Sequence, residues 1–293
     1  MPRTTHDEGG TSRPRAQRSG FSFVELLAAT LLMTGVGAVL VNSFRIQLLH
    51  RADAEVTAET YQGLVAALDS LTSDVRLAGA CLPTQPLFLP LSGAHDGTTD
   101  SITLRTGTTG ATSGCAVAAL MGPLGAGETE LTVDDVSGFQ VGGLGYVAGA
   151  VRGEIFRVTA VSAPSGAGVI RTDTTLAQSY PAGGGVYALE ERTYAVDASS
   201  YEQPVLTRSV NRQAAQPLAR GIESLRIRYR LNENCPTCTV VDLPSDDPTW
   251  VQVNEILVSA TAVSRQNLST GERLRESATV TVEPLNLETR RSS

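Results

Sequence analysis

One stretch constrains this chain more than any other. From Phe21 to Phe44 it is apolar, broken only by Glu25 and a few small polar residues. As a helix that stretch extends about 36 Å, enough to cross a hydrocarbon core of about 30 Å. A carboxylate inside such a segment is costly unless it meets an opposite charge, so Glu25 calls for a partner. The helical pattern does not stop at Phe44. Leu49, Val56, Leu64, Leu68, Leu71, Val75 and Ala78 recur at helical spacing, while Arg51, Asp53, Glu55, Glu59, Asp69 and Asp74 fill much of the rest. The periodicity predicts one helix from Phe21 to Ala78, about 87 Å long. Its apolar half, residues 21–44, suits a membrane, and its amphipathic half, residues 45–80, suits packing on a body. Gly79, Cys81 and Pro83 are stop signals. Gly35 and Gly37 each cost about 1 kcal/mol relative to alanine in a helix. They allow either a local bend or close approach of a second helix.

Residues 1–20 are polar, and four arginines (Arg3, Arg13, Arg15, Arg18) against Asp7 and Glu8 give 4 − 2 = +2. A positive flank stays cytoplasmic and sends the body, residues 81–293, to the other side. A secretory signal fits poorly, because its small-residue cleavage site follows the apolar core, whereas Gly20 precedes it. A plain signal-anchor helix leaves Glu25 unexplained.

Gly20 followed by Phe21-Ser-Phe-Val-Glu25-Leu-Leu resembles the class III leader of type IV prepilins and type II secretion pseudopilins. The resemblance implies that a membrane prepilin peptidase cuts the Gly20–Phe21 bond, removes residues 1–20 and methylates the new amine on Phe21. Glu25 is then the fifth residue, about one helical turn from a cationic amine of its own or a neighbouring chain. Each charge offsets much of the other's desolvation. Three further segments resemble PilW-like minor pilins. Leu71-Thr-Ser-Asp-Val-Arg-Leu-Ala-Gly79 matches a "D-[LV]-R-x-A-G" helix ending. Pro217-Leu-Ala-Arg-Gly-Ile-Glu-Ser-Leu-Arg-Ile-Arg-Tyr229 matches "L-x-x-G-[IV]-x-x-L-x-[IV]-x-Y", and Trp250 to Ala262 occupies the place of the last long strand. The resemblance implies assembly through the N-terminal helix into a type IV pilus, at its priming or tip complex. The implied partners are the prepilin peptidase, other minor pilins, the major pilin and the inner-membrane assembly platform. It places the protein in the inner membrane as a single-pass chain, with its leader cytoplasmic and its body extracytoplasmic, and then on the pilus at the cell surface. A J-type pseudopilin of type II secretion shares the leader and helix. A membrane-anchored binding protein outside any filament is the alternative of a different class.

Glycine is abundant (28) and aromatics are few (5%), which favours a body rich in strands and turns. Alternation predicts strands at Ser101–Thr106, Leu131–Asp134, Gly145–Val147, Glu154–Ala160, Val169–Thr172, Val186–Leu189 and Arg192–Val196. Others follow at Val205–Val210, Leu225–Leu231, Asn254–Val263 and Ala278–Val282. One long helix and then antiparallel strands make an α+β fold, with the helix packed on a sheet. Residues 127–189 read as an inserted, small β-barrel-like subdomain, because Leu131 to Phe139 resembles the start of such modules in tail and surface proteins and Gly153 to Ala160 continues that pattern.

The net charge is −7 and every one of the 23 basic residues is arginine. An acidic chain without a basic cluster argues against a nucleic-acid partner, and Arg226-Ile-Arg-Tyr-Arg230 reads as a strand with one solvated face. No G-x-S-x-G, H-E-x-x-H, Walker A loop or suitably placed G-x-G-x-x-G occurs, so neither an enzymatic role nor a cofactor is expected. His50 falls at the membrane interface and His95-Asp-Gly97 in a turn. Four cysteines outside the cytoplasm suit two disulfides in any of three pairings. Proximity favours Cys235 with Cys238, leaving Cys81 with Cys115, a loop that restrains the unfolded chain by about 3–4 kcal/mol. Cys235-Pro-Thr-Cys238 follows a strand, not a helix N-terminus, so a redox site fits less well. A zinc knuckle lacks a second ligand pair. The aspartates of Val241 to Thr249 form a solvated acidic loop without EF-hand spacing, and calcium binding there stays open.

Overall fold

A computed structural model describes residues 22–84, 88–110, 114–149, 152–162, 167–199, 203–231 and 239–286. The chain divides into two units, Met1–Ala52 and Asp53–Ser293. Helix α1 (Phe23–Leu77) is followed by β1 (Leu91–His95), β2 (Asp100–Gly107), β3 (Val117–Ala119), β4 (Glu130–Val133), β5 (Leu144–Val147), β6 (Glu154–Val161) and β7 (Gly168–Thr172). Next come β8 (Gly185–Asp197), β9 (Val205–Val210), β10 (Gln216–Arg220), β11 (Ile222–Leu231), β12 (Val240–Val241), the short helix α2 (Asp247–Val251), β13 (Val253–Asn267) and β14 (Arg273–Val282). All strand pairings among the described residues are antiparallel, so the class is α+β as expected.

Two sheets form the body. The larger runs β1-β2-β8-β5-β6-β7-β4, with β3 and β9 also on β8 and β10 on β9; the smaller runs β12-β11-β13-β14. The second half of α1 packs between them. Leu64, Ala67, Leu68, Leu71, Val75 and Ala78 are buried with Leu91, Ile102, Leu104, Tyr194 and Leu206 of the larger sheet. The same core takes in Leu225, Ile227, Tyr229, Ile256, Val258 and Val282 of the smaller sheet. Each fully buried leucine of that stripe contributes about 1.5–3 kcal/mol relative to exposure. Val56 is only half-buried and Leu49 exposed, so the packed stripe begins at Leu64. The helix stops where expected: Gly79 has φ +84°, a backbone that side chains with a Cβ rarely adopt, and its N–H donates to the carbonyl of Arg105 at 2.8 Å.

Asp74 departs from the sequence reading. Periodicity assigns it to the polar remainder of the helix, yet it is 6% exposed. Its carboxylate accepts from the guanidinium of Arg192 and the hydroxyl of Tyr194, both on β8. A buried charge is tolerated only when paired and hydrogen-bonded, and β8 supplies both conditions.

β8 is also longer than alternation suggests. Its two predicted pieces join through Glu190 and Glu191, because the sheet neutralises both. Arg192 Nε bonds Glu190, while Glu191 sits between Arg105 (2.7 Å) and Arg212 (2.8 Å). Burial pushes the Glu191 carboxyl up, but the two arginines outweigh it and hold it below its ordinary value. The short strands β1, β3, β10 and β12 and helix α2 are not foreseen by alternation. Trp250, expected at the start of a strand, instead lies in α2, where its ring meets Tyr229 edge-on at 4.9 Å.

The region around residues 127–189 has a core of its own. Ala116, Ala118, Leu120, Leu131, Val133, Phe156, Ile170, Tyr180, Val186 and Ala188 belong to it. Its buried residues run from Ala116 to Ala188, and β8 continues into the first core at Tyr194. Around this core the pairings run β8–β5–β6–β7–β4. From β4 a bridge between Val133 and Leu120 and the bond from Met121 N–H to the Thr132 carbonyl (2.9 Å) lead back to β3, which pairs β8.

Candidate functional site

The first turn of α1 carries the expected contact residue. Glu25 is the sole charge between Ser22 and Phe44, and its N–H donates to the Ser22 carbonyl at 3.0 Å. A carboxylate in the first turn is favoured by the unsatisfied N–H groups and the dipole there. From Phe23 to Leu49 the apolar side chains are exposed on every side of the helix, Phe23, Leu31, Leu32, Met33 and Val41 each by more than two thirds. A helix apolar all round is stable only inside lipid or among other helices. The hydroxyls of Thr30 and Thr34 do not compromise this surface, because each donates back to carbonyls three and four residues earlier. Among the described residues α1 is the one helix long and apolar enough to cross a membrane.

Gly35 and Gly37 neither break nor bend-terminate α1, which is continuous through both. A Cβ added at either position would meet nothing within 4 Å, so no contact among the described residues requires glycine there. Small residues at such points leave room for a second helix.

The remaining sequence candidates are dispersed. Cys81 and Cys115 form a disulfide, 34 residues apart in sequence with Cα atoms 5.2 Å apart. It ties the end of α1 to the start of the second core, beside the bond from Gly107 N–H to the Ala80 carbonyl (2.7 Å). Cys235 and Cys238, like Gly20 and Phe21 and the rest of residues 1–20, lie outside the described residues. His50 is exposed on α1. His95 ends β1, where Nδ1 meets Asp100 at 2.5 Å and Arg226 at 3.2 Å, so the expected turn begins one residue later. In that turn Asp96 accepts from the N–H groups of Thr98 (2.9 Å) and Thr99 (2.8 Å), which hold its carboxyl at about 2.

Arg226 and Arg228 do face solvent between buried Ile227 and Tyr229, and Arg230 pairs Glu255. The acidic loop has a structural use: Asp246 caps α2, its carboxylate accepting from the N–H of Thr249 at 2.8 Å. Among the described residues no three His, Cys, Asp or Glu side chains converge as a metal ion would require. Asp74 is the anchoring residue that periodicity missed. Its signal was its place in the helix-ending segment Asp74-Val-Arg-Leu-Ala-Gly79, one turn on from Leu71 on the buried face. No protein-family model matches the chain, and no curated protein matches it.

Proposed function

We propose that the chain is a PilW-like minor pilin, processed between Gly20 and Phe21 and assembled through α1 into the priming or tip complex of a type IV pilus. The observation that carries this reading is the isolated Glu25 in the first turn of an exposed, apolar helix half, on the same helix whose other half is buried in a body. A helix meant only for lipid has no use for that carboxylate. A helix that receives a neighbour's N-terminal amine needs it, and Gly35 and Gly37 give the neighbour room to approach. On this reading the leader stays cytoplasmic, α1 crosses the inner membrane once, and the body is extracytoplasmic before it reaches the pilus. The ring of pairings from β8 through β5, β6, β7, β4 and β3 is, on the same reading, the barrel-like insertion.

The mature N-terminus tests the proposal directly. Mass spectrometry of membrane-extracted protein is expected to find N-methyl-Phe21, and an intact chain starting at Met1 sinks the reading. Glu25→Ala is expected to insert normally yet lose recovery with partner pilins. Undiminished co-purification in that variant refutes the amine–carboxylate contact.

A further inference from the structure

β14 (Arg273–Val282) is the outermost strand of the smaller sheet and, among the described residues, pairs only with β13. Its other edge presents backbone N–H and C=O groups without a strand partner, a template for one more strand. Folded proteins blunt such edges with proline, charge, bulges or brevity. The edge strand β10 has Pro217, and β12 is two residues long. β14 is blunted only at its ends, by Arg273, Arg275 and Glu276 before and by Glu283 and Pro284 after. Between them Ser277-Ala-Thr-Val-Thr-Val282 has no charge, proline or glycine, and its last four residues are all β-branched. Ser277, Thr279 and Thr281 are exposed, whereas Ala278 and Val280 turn to the core yet stay half-buried. A strand added at this edge covers their remaining surface.

β13 shows what the outward side chains of β14 accept opposite them. Ser259 meets Thr279 at 2.8 Å and Thr261 meets Ser277 at 2.9 Å, hydroxyl to hydroxyl. β14 offers the same chemistry to itself. Laid antiparallel on a second β14 with Ala278 opposite Ala278, Ser277 meets Thr279 on both sides of the two-fold axis. Leu274 then meets Val282 on the core side, and Arg273 meets Glu283 at each end, two pairs of opposite charge. A slip of one residue sets core-facing against solvent-facing side chains. A slip of two in one direction leaves Arg273 and Arg275 opposite threonines. In the other direction it brings Pro284 into the ladder and draws Arg275 from Glu223, which it holds at 3.0 Å. We propose that β14 pairs antiparallel with β14 of a second copy of this chain, joining two four-stranded sheets into one. The two-fold axis reverses the buried stretch of α1, Leu64 to Val75, between the copies, so the pair joins bodies presented in opposite directions. This contact lies beyond the assembly proposed above and does not require a filament.

Sedimentation velocity of the full-length protein in detergent micelles tests the proposal, and a concentration-dependent dimer is expected. Arg273→Glu sets two glutamates opposite each other at both ends, and Glu283→Arg sets two arginines. Each should weaken dimerisation about tenfold or more. Mixed in equal amounts, the two variants regain an opposite pair at each end and should form a mixed dimer. The chain carrying both substitutions should dimerise like the parent. Fluorescence of the sole tryptophan, Trp250, checks the fold of each variant. Ala278→Cys sets a cysteine opposite its own copy at the axis, and should give a covalent dimer on mild oxidation that the parent does not. A chain that stays monomeric at every concentration overturns the proposal. So does a dimer indifferent to both reversals, as one held through the apolar half of α1 is, or a mixture that associates no better than its components.

Discussion

Removing the Asp74 carboxylate tests how the helix is held to the body. Asp74→Ala takes from two groups on β8 the acceptor they share, while Arg192 keeps Glu190 and the Tyr194 hydroxyl keeps Ser70 and Arg208 beside it. Tyr194 is fully buried, and a buried hydroxyl that loses its acceptor costs about 1–3 kcal/mol. Arg192 also loses a contact, and breaking a buried ion pair costs about 3–5 kcal/mol when nothing replaces it. Here the loss is smaller, because the Arg192 side chain is 29% exposed and keeps Glu190. The expected destabilisation is about 2–4 kcal/mol. For a body of this size a loss of about 3 kcal/mol lowers Tm by about 6–12 °C. The assay is thermal or urea unfolding of the full chain in detergent, followed through Trp250, which lies in the same core as Asp74's neighbours. Asp74→Asn retains an acceptor for Tyr194 but not the charge, and should fall between the parent and Asp74→Ala. A double-mutant cycle with Arg192→Met should be non-additive by about 1 kcal/mol or more. A Tm change of less than about 2 °C in Asp74→Ala, or strict additivity in the cycle, refutes the anchoring role.

Two further perturbations follow from the same contacts. Replacing Cys115 with serine removes a cross-link that restrains the unfolded chain by about 3–4 kcal/mol, and hydrogen exchange should show the loss of protection in the second core and at the end of α1. Arg212→Ala should make the protein more acid-sensitive. The Glu191 carboxyl is held below its ordinary value, so its stabilisation is present above that value and disappears as pH falls through the depressed one. Without Arg212 the folded value rises and the acid unfolding midpoint, read by Trp250 fluorescence, moves to higher pH.

The long helix and most strands were legible because each carries its own periodicity. The apolar run, Glu25 and the stop at Gly79 are local signals, and so are β2, β6 and β7, whose alternation matches a more buried and a less buried face. β8 was not legible as a single strand, since Glu190-Glu191-Arg192 looks like a break until Arg105, Arg212 and Asp74 arrive from distant sequence. Asp74 itself was misassigned for the same reason, because polarity in a helix marks solvent unless a partner lies across the core. β3 and β12 are too short for periodicity, β1 (Leu-Ser-Gly-Ala-His) carries a single large apolar residue, and β10 carries Pro217 at an irregularity in its pairing with β9.

β8 and the disulfide also determine how the body carries tension. Its early residues, including Val186 and Ala188, lie in the second core, and Tyr194 lies in the first. A pull applied to the second core while α1 is held therefore loads one continuous backbone instead of a peptide linker between two bodies. Asp74 couples α1 to that backbone through Arg192 and Tyr194, and the Cys81–Cys115 bond offers a parallel covalent route from the helix end. Hydrogen bonds along β8 would share the load before any single contact yields, and the cross-link would limit how far the two cores separate when they do. The same strand that runs through both cores makes the second one tethered to the first.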